Sequence, residues 1–492
     1  MVWLGWMVFS PGLEHESEIP LYRQLYERIA AKIRSRELNA GERLPATREL
    51  AGQLGLNRTT VSAAYELLES AGLISGHVGR GSFVAGGATP GGVDWGAILD
   101  PSRTWRAPQT AIDPISFVMS RPSRDLFPLD DFRSACEAVL HRADLADILQ
   151  LGSPSGYEPL RRYLLAQARA EGIASPEDDL LIANGCQQAL DLIGRVLLRP
   201  GDTVAIEDPT YPGLKNLLGG MGVRLAGIPM GSDGLDPAQA ARVLERDRPR
   251  FLVVTPNFQN PTGATLPLAA RRALLDAARA AKVPVVENDP YGHLRYEGEE
   301  VPALKSLDDR GGTVLLRSFS KVSFPGLRVG WMLGPKPLID RLRQAKETAD
   351  LHTDQLSQAV LLEFAESGRL EQHLGRVRAA GAERLRALLD ACARRLPAGT
   401  RFTRPQGGMN LWVRLTEPLD AESLLPRAQK QGVAYLPGRY FAVAQAEPGS
   451  LRLSFAGLPP DEIAAGIAVL GQIFSEELEN AARAVEPASA MV

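Results

Sequence analysis

The most informative stretch of this 492-residue chain is Ser318-Phe319-Ser320-Lys321-Val322-Ser323-Phe324-Pro325-Gly326-Leu327-Arg328-Val329-Gly330. Lys321 follows an apolar run that predicts a strand, with Ser318 and Ser320 before it and Arg328 seven residues after it. A lysine so placed can form an imine with an aldehyde cofactor, while hydroxyls and a guanidinium hold the cofactor's phosphate. A solvated loop lysine is the alternative that this stretch alone leaves open.

Three further sequence motifs each follow a predicted strand. Asn184-Gly185-Cys186-Gln187 opens a helix, so its amides and the helix dipole offer a place for phosphate. Phe258-Gln259-Asn260 and Glu287-Asn288-Asp289-Pro290-Tyr291 each follow an apolar run, at the sheet edge where α/β proteins bind ligands. An acidic side chain there can keep a pyridinium nitrogen protonated. Taken singly, Asp289 is equally explained as a turn former before proline.

The apolar runs themselves predict the fold class of the larger part of the chain. From about residue 115 they alternate with helical stretches, at 180–182, 203–206, 251–254, 283–286 and 313–316. This alternation predicts an α/β domain with a mixed, mostly parallel sheet. Because one hydrophobic core stops growing at roughly 250–300 residues, we expect at least two domains.

The N-terminal part predicts a different module. Apolar residues recur at helical spacing over 21–36 with basic residues between them, and two short helices follow around a turn at Gly55. Asn57 is the expected N-cap of the second helix, which starts with Arg58, Thr59 and Thr60. Runs at 72–74 and 81–84 predict a β-wing whose turn carries His77, Gly79 and Arg80.

Charge distinguishes this module from the rest of the chain. The protein has a formal net charge of -3, whereas residues 19–84 hold nine basic and six acidic residues, a net charge of +3. A basic helix-turn-helix with a wing favours DNA binding over a purely structural hairpin. Gly and Pro accumulate over 86–111, which predicts a linker that includes a short helix near Trp95.

The remaining composition excludes other classes. Three distant cysteines, Cys136, Cys186 and Cys392, form no CxxC pair, so we expect a reducing cytoplasm and no metal site. The apolar run at residues 1–9 is too short to cross a bilayer, and no membrane association is expected.

The segment from Leu44 to Val84 resembles the winged helix-turn-helix of GntR-type bacterial regulators, in which L-P-S-x-R-x-L-A precedes S-R-x-T-V-x-x-A-Y and a final G-x-G. The resemblance implies DNA contacts by Arg48, Arg58, Thr60 and the wing glycine Gly81, and we add Thr59 and Arg80 from their positions. Ala46 stands where that family usually has serine, which removes one expected cap.

The four strings of the large domain together resemble fold-type I pyridoxal-phosphate enzymes of the class I/II aminotransferases. The resemblance implies that Lys321 forms the Schiff base, that Asp289 pairs with the ring nitrogen and that Tyr211 stacks on the ring. It further implies that Asn260 and Tyr291 bind the phenolic oxygen and that Arg452 binds a substrate carboxylate. The implied phosphate ligands are Gly185, Cys186, Gln187, Ser318, Ser320 and Arg328.

Two residues depart from that pattern. Leu151 stands where these aminotransferases commonly have a tyrosine that reaches the phosphate held by the partner subunit, and leucine cannot donate that bond. Asn184 replaces a usual serine or threonine. We therefore expect the cofactor to bind, and the sequence leaves open whether transamination turns over.

The whole chain beyond residue 18 resembles the MocR/GabR group, in which a GntR-type reader is joined to an aminotransferase-like domain. The expected domains are a reader at 19–85, a linker at 86–111 and a PLP-binding domain at 112–480 with a small C-terminal α+β subdomain. The expected function is a homodimeric cytoplasmic transcription regulator that binds two operator half-sites and senses PLP and an amino compound through aldimine chemistry. The alternatives left open are an active aminotransferase of the aminoadipate or aromatic type, and PLP as a purely structural ligand.

Overall fold

The computed structural model describes residues 19–35, 37–39, 41–77, 81–85 and 115–485. The chain divides into two compact units, Met1–Thr104 and Trp105–Val492. The predicted linker, the helix near Trp95, and the residues Arg36, Gly79 and Arg80 lie outside the described residues. Within the described part, no helix is both long and apolar enough to span a membrane.

The first unit has helices followed by a β-hairpin: α1 (Leu21–Arg34), α2 (Thr47–Leu54), α3 (Arg58–Ser70), β1 (Ile74–His77) and β2 (Gly81–Val84). The apolar stripes of the three helices meet in one core, with Leu25, Ile29, Val61 and Leu68 almost fully buried. Because these residues recur at three- and four-residue spacing, one face of each helix turns inward.

The wing differs from the prediction at its first strand. That strand begins at Ile74 rather than Gly72, because Gly72 has φ +68° and its amide donates to the Glu69 carbonyl, which closes the end of α3. The two strands pair antiparallel from Ile74 opposite Val84 to His77 opposite Gly81.

The second unit is built on a large sheet with the strand order β4-β11-β10-β9-β8-β5-β6-β7. Pairing is parallel from β10 through β9, β8 and β5 to β6, and antiparallel at both ends, so the predicted mixed, mostly parallel sheet is confirmed. The strands are β4 (Asp178–Ala183), β5 (Thr203–Asp208), β6 (Arg224–Gly231), β7 (Gly234–Leu235), β8 (Leu252–Val254), β9 (Val285–Asn288), β10 (Thr313–Ser318) and β11 (Gly330–Pro335).

Helices cover both faces of this sheet. Val204 and Ile206 of β5 pack in one apolar cluster while Ala205 packs in another, as the two-residue period of a strand requires. The helices of this region are α4 (Leu129–Leu140), α5 (Leu145–Ile148), α6 (Glu158–Ala170), α7 (Cys186–Leu197), α8 (Pro212–Gly220), α9 (Pro237–Asp247), α10 (Leu268–Ala281), α11 (Leu304–Leu307), α12 (Lys336–Asp350) and α13 (Gln355–Glu366).

A smaller α+β layer completes the unit and confirms the predicted C-terminal subdomain. One sheet has the order β12-β13-β16-β15, and β14 pairs with β3. The helices share an apolar cluster with these strands, and Phe117, Tyr435 and Phe474 lie at its centre. The elements are β3 (Ile115–Ser116), α14 (Arg369–Arg395), β12 (Arg401–Phe402), β13 (Asn410–Arg414), α15 (Ala421–Lys430), β14 (Val433–Ala434), β15 (Leu436–Pro437), β16 (Ser450–Ser454) and α16 (Pro460–Val485).

Candidate functional site

A cavity of about 580 Å³ opens where the predicted strings come together. It lies at the carboxyl ends of β9 and β10, the edge at which parallel strands present their loops. Its walls include these residues singled out from the sequence: Cys186, Gln187, Tyr211, Asn260, Tyr291, Ser318, Ser320, Lys321, Arg328 and Arg452. The fold therefore brings together residues that are up to 266 positions apart in the chain.

Lys321 ends a short 3-10 turn, Phe319–Lys321, that follows β10 directly. Its Nζ donates to the carbonyl of Ser120 at 2.6 Å and lies 5.9 Å from the centre of the Tyr291 ring. Burial lowers the pKa of Lys321 to about 8, and the positive charges of Arg452 and Arg328 act in the same direction. A substantial neutral fraction near pH 8 makes this amine a competent nucleophile.

The start of α7 forms a cradle with Arg328. Gly185, with φ +81°, is the N-cap of this helix, and the Nη2 of Arg328 donates to the Asn184 carbonyl at 3.0 Å. A Cβ on Gly185 would lie only 2.7 Å from that Nη2, so this close approach needs glycine. The Nη1 of Arg328 donates to Ser320 Oγ at 3.2 Å. Guanidinium, hydroxyl and helix amides thus converge on one spot that suits a phosphate.

The departure at Asn184 has a structural explanation. Its side-chain amide donates to Asp350 Oδ2 at 3.0 Å, and that carboxylate also accepts from Gln188 Nε2 at 2.5 Å. On its other oxygen Asp350 accepts from the fully buried Lys346 at 2.6 Å. Asn184 therefore anchors the cradle loop to the end of α12 through the side chain of Asp350, a residue that the sequence pattern did not indicate.

Asp289 is buried beneath the cavity and is oriented by two residues that the motifs did not reveal. Its Oδ1 accepts from Asn257 Nδ2 at 2.9 Å, and Asn257 Oδ1 accepts from Arg271 Nη2 at 2.5 Å. Arg271 is fully buried and also donates to the carbonyls of Pro256, Leu266 and Pro302. The Oδ2 of Asp289 accepts no hydrogen bond from the described residues. A cationic N–H donor at this oxygen would satisfy a buried acceptor.

Asn260, Tyr291 and Arg452 form a connected polar group. The Asn260 amide donates to the Tyr291 hydroxyl at 3.4 Å, and Arg452 Nη1 donates to Asn260 Oδ1 at 3.1 Å. Burial lowers the pKa of Arg452 to about 10 and raises that of Tyr291 to about 12. The buried Nε of Arg452 has no hydrogen-bond partner in the described part of the chain. Such a guanidinium is suited to an incoming carboxylate.

Tyr211 and Leu151 lie at more open positions. Tyr211 is the N-cap of α8, and its ring lies so close to Gly213 that a Cβ there would come within 2.4 Å of the ring. Burial of the Tyr211 hydroxyl raises its pKa. Leu151 is 73% exposed.

The helix-turn-helix presents its polar residues outward. Asn57 caps α3 by accepting from the Thr59 amide at 3.2 Å, as its position predicts. Arg48, Arg58 and Thr59 are exposed and Thr60 is half-buried, whereas Ala46 provides α2 with no side-chain cap. Gly81, with φ +100°, allows the wing to approach the Arg43 side chain closely. Among the described residues, the N-terminal residues Arg58 and Thr59 of α3 are thus solvent-exposed.

Each of the two units matches a known protein family. Residues 127–470 match the profile "Aminotransferase class I and II". The chain belongs to this aminotransferase family. Residues 21–84 match "Bacterial regulatory proteins, gntR family", so the aminotransferase domain follows a GntR-type domain. Both family resemblances inferred from the sequence are confirmed.

Individual relatives fall into two kinds. The chain is 30% identical to the "probable rhizopine catabolism regulatory protein MocR" of Rhizobium meliloti, covering 94% of this chain and 95% of the relative. It is 38% identical to the 2-aminoadipate transaminase of Thermus thermophilus, covering 73% of this chain and 89% of the relative. The aminotransferase domain is similar to the crystal structure of LysN, the α-aminoadipate aminotransferase of Thermus thermophilus complexed with N-(5'-phosphopyridoxyl)-L-leucine. The TM-score is 0.72 at 35% identity, covering 79% of this chain and all of LysN.

Proposed function

We propose that this protein is a DNA-binding transcription regulator whose aminotransferase domain binds pyridoxal phosphate and senses an amino compound. The observation that carries the proposal is the joint presence of a capped, exposed recognition helix and a lysine-containing cavity in one chain. Relatives named as regulators match over both units, whereas the transaminase relative matches over the large domain. Action on operator DNA implies a cytoplasmic protein.

The residues present fit pyridoxal phosphate. The unsatisfied Oδ2 of Asp289 suits the ring nitrogen, and the glycine cradle at Gly185 with Arg328, Ser318 and Ser320 suits the phosphate. When bound, this cofactor supplies an aldehyde carbon that amines attack and a ring that withdraws electrons. Lys321 is the amine of the protein placed to react with it.

The polar group on the other side of the cavity has two proposed roles. Asn260 and Tyr291 bind the phenolic oxygen of the cofactor, and Tyr211 stacks against its ring. Arg452, buried and only partly hydrogen-bonded, binds the carboxylate of an amino compound. The remaining proposed phosphate ligands, Cys186 and Gln187, lie in the first turn of α7. We thus infer an effector that carries both an amine and an acidic group.

The reader contacts operator DNA through both bases and phosphates. Arg58, Thr59 and Thr60 at the start of α3 reach base edges, and Arg48 and the wing around Gly81 contact the backbone. Arg80 belongs to the same proposed surface by its position next to Gly81. These roles account for the basic charge of this part of the chain.

We further propose a homodimer that binds two operator half-sites. The exposed Leu151 suits a covered position at a subunit interface, although it cannot donate a hydrogen bond to a phosphate. Two linked readers bind an operator with two half-sites far more tightly than one half-site, because the second contact is intramolecular.

A working aminotransferase is the second candidate, favoured by the complete constellation of Lys321, Asp289 and Arg452 and by the transaminase relative. An absorbance spectrum recorded with a panel of amines and amino acids distinguishes the two. Spectral exchange without keto-acid product supports sensing, multiple turnovers support the enzyme, and no response supports a structural cofactor.

The cofactor assignment has its own test. Borohydride reduction of the yellow holoprotein should fix the cofactor to Lys321, and peptide mapping should find the adduct there. Lys321→Ala should lose the covalent link while Arg328 and the cradle keep residual affinity. An adduct on another lysine, or no adduct in the wild-type protein, would overturn the assignment.

A further inference from the structure

Arg317 lies on β10 immediately before the cradle residue Ser318 and reaches the carboxylate of Asp289 from within the protein. Its Nε is 3.5 Å from Asp289 Oδ2, the oxygen that accepts no hydrogen bond from the described residues. The Asp289 side chain is inaccessible to solvent and that of Arg317 is 15% exposed. Charges so placed are screened far less than a surface pair.

The surroundings hold both partners in place. Asn257, itself held by Arg271, donates to the other oxygen of Asp289, so the carboxylate cannot rotate away without breaking that hydrogen bond. On the outer side, Arg317 Nη1 lies 3.4 Å from Oε2 of Glu171, a half-exposed residue at the end of α6. The guanidinium is therefore shared between a buried carboxylate and a peripheral one.

We propose that Arg317 is a positioning residue that competes with the cofactor's ring nitrogen for the negative charge of Asp289. The inference rests on the cofactor-binding role proposed above. A carboxylate shared between two cations stabilises each of them less than it would stabilise one alone. Arg317 thus weakens the support that Asp289 gives to a protonated ring, and an unprotonated ring is a poorer electron sink.

The consequence concerns what the aminotransferase domain does with an amino compound. Capture of an amine needs the aldehyde and Lys321, whereas conversion to a keto acid also needs the ring to accept electrons. Arg317 therefore favours reversible binding over turnover. The chain keeps the residues of an aminotransferase and weakens their action through one partly buried charge.

The ring nitrogen reports on this competition directly. We would load the full-length wild-type protein, Arg317→Met and Arg317→Lys with 15N-labelled pyridoxal phosphate and measure the nitrogen chemical shift across pH. In Arg317→Met the shift should move towards the protonated form and cofactor affinity should rise about 3- to 10-fold, the range of a typical net hydrogen bond. Arg317→Lys keeps the charge and should stay near the wild type.

Glu171→Gln supplies a second variant in which the core is untouched. Without the peripheral carboxylate, the Arg317 guanidinium no longer shares its charge with Glu171 and interacts more strongly with Asp289. The ring-nitrogen shift should therefore move slightly towards the unprotonated form. Identical ring-nitrogen shifts in the wild type, Arg317→Met and Glu171→Gln would overturn the inference while leaving the proposed function intact. A wild-type protein that binds no cofactor would overturn both.

Discussion

At the scale of single residues, Lys321 is the group whose charge state sets reactivity. Because burial and two arginines lower its pKa to about 8, the amine is mostly charged at pH 7 and mostly neutral at pH 9. Only the neutral amine attacks an aldehyde. The rate of covalent cofactor capture by the apoprotein should therefore rise about tenfold from pH 7 to pH 9 and then level off.

Stopped-flow absorbance at fixed cofactor concentration measures this profile. An ordinary exposed lysine would give a rate still climbing at pH 10, and such a profile would contradict the assigned environment of Lys321. Lys321→Ala is the control, since it should show no fast covalent phase at any pH.

Gly185 provides a second test at this scale. Gly185→Ala puts a methyl group 2.7 Å from the Arg328 guanidinium at a backbone position with φ +81°, so the guanidinium must shift and the backbone is strained. Cofactor affinity should fall about 10- to 100-fold, as expected when a charge-assisted phosphate contact is lost. Equilibrium dialysis of the apoprotein with pyridoxal phosphate measures it.

Gly326, two residues before Arg328, offers a matched glycine-to-alanine control. A Cβ there meets open space, so Gly326→Ala should bind the cofactor like the wild type. Equal affinities of the two alanine variants would show that the cradle is not where the phosphate binds.

At this scale, the residues whose types carry chemistry could be predicted from the sequence, whereas the residues that orient them could not. Lys321, Arg328 and Asn260 stand in recognisable strings and do line the cavity. Asn257, Arg271 and Asp350 act through tertiary contacts between segments far apart in the chain, and nothing local distinguishes them from ordinary polar residues. Their roles depend on which loops the sheet brings together.

At the scale of elements, we expect α3 of the DNA-binding domain to distinguish the operator from other DNA sequences. Arg58 is its first residue, held in place by the Asn57 cap, whereas Arg34 lies in the last turn of α1. Base contacts contribute about 1–3 kcal/mol of discrimination, while phosphate contacts add affinity without preference. Arg58→Ala should weaken operator binding much more than binding to random duplex.

Arg34→Ala is the paired control, because any contact that it makes is with phosphate and should affect both duplexes alike. Fluorescence anisotropy of both variants on both duplexes at two salt concentrations separates the two classes of contact. If Arg58→Ala keeps its operator preference, another element reads the bases.

The secondary-structure elements also differed in how well the sequence predicted them. The strands of the parallel core, such as β5 and β9, stand out as apolar runs because both faces are buried. The antiparallel β11 and the short β7 gave no such signal, since their places depend on neighbouring strands. The first wing strand begins later than predicted because Gly72, with its positive φ, still belongs to the turn that closes α3.

At the scale of the whole molecule, the chain joins a reader to a domain with a ligand cavity. The shift in charge and the Gly- and Pro-rich segment predicted this division from the sequence. Effector identity could not be predicted, because selectivity depends on the shape of a cavity built from distant segments such as Val118, Tyr440 and Arg452. If both ligands act on one conformational equilibrium, effector and DNA must change each other's affinity by the same factor.

Operator affinity with and without effector tests this central claim most directly. An operator is first selected from random duplexes with the cofactor-loaded protein, and an effector is chosen as an amino compound that changes its absorbance. We predict that this compound changes the operator dissociation constant about 5- to 150-fold, and that Lys321→Ala shows no such change. An operator affinity that stays the same while the absorbance responds would contradict the account.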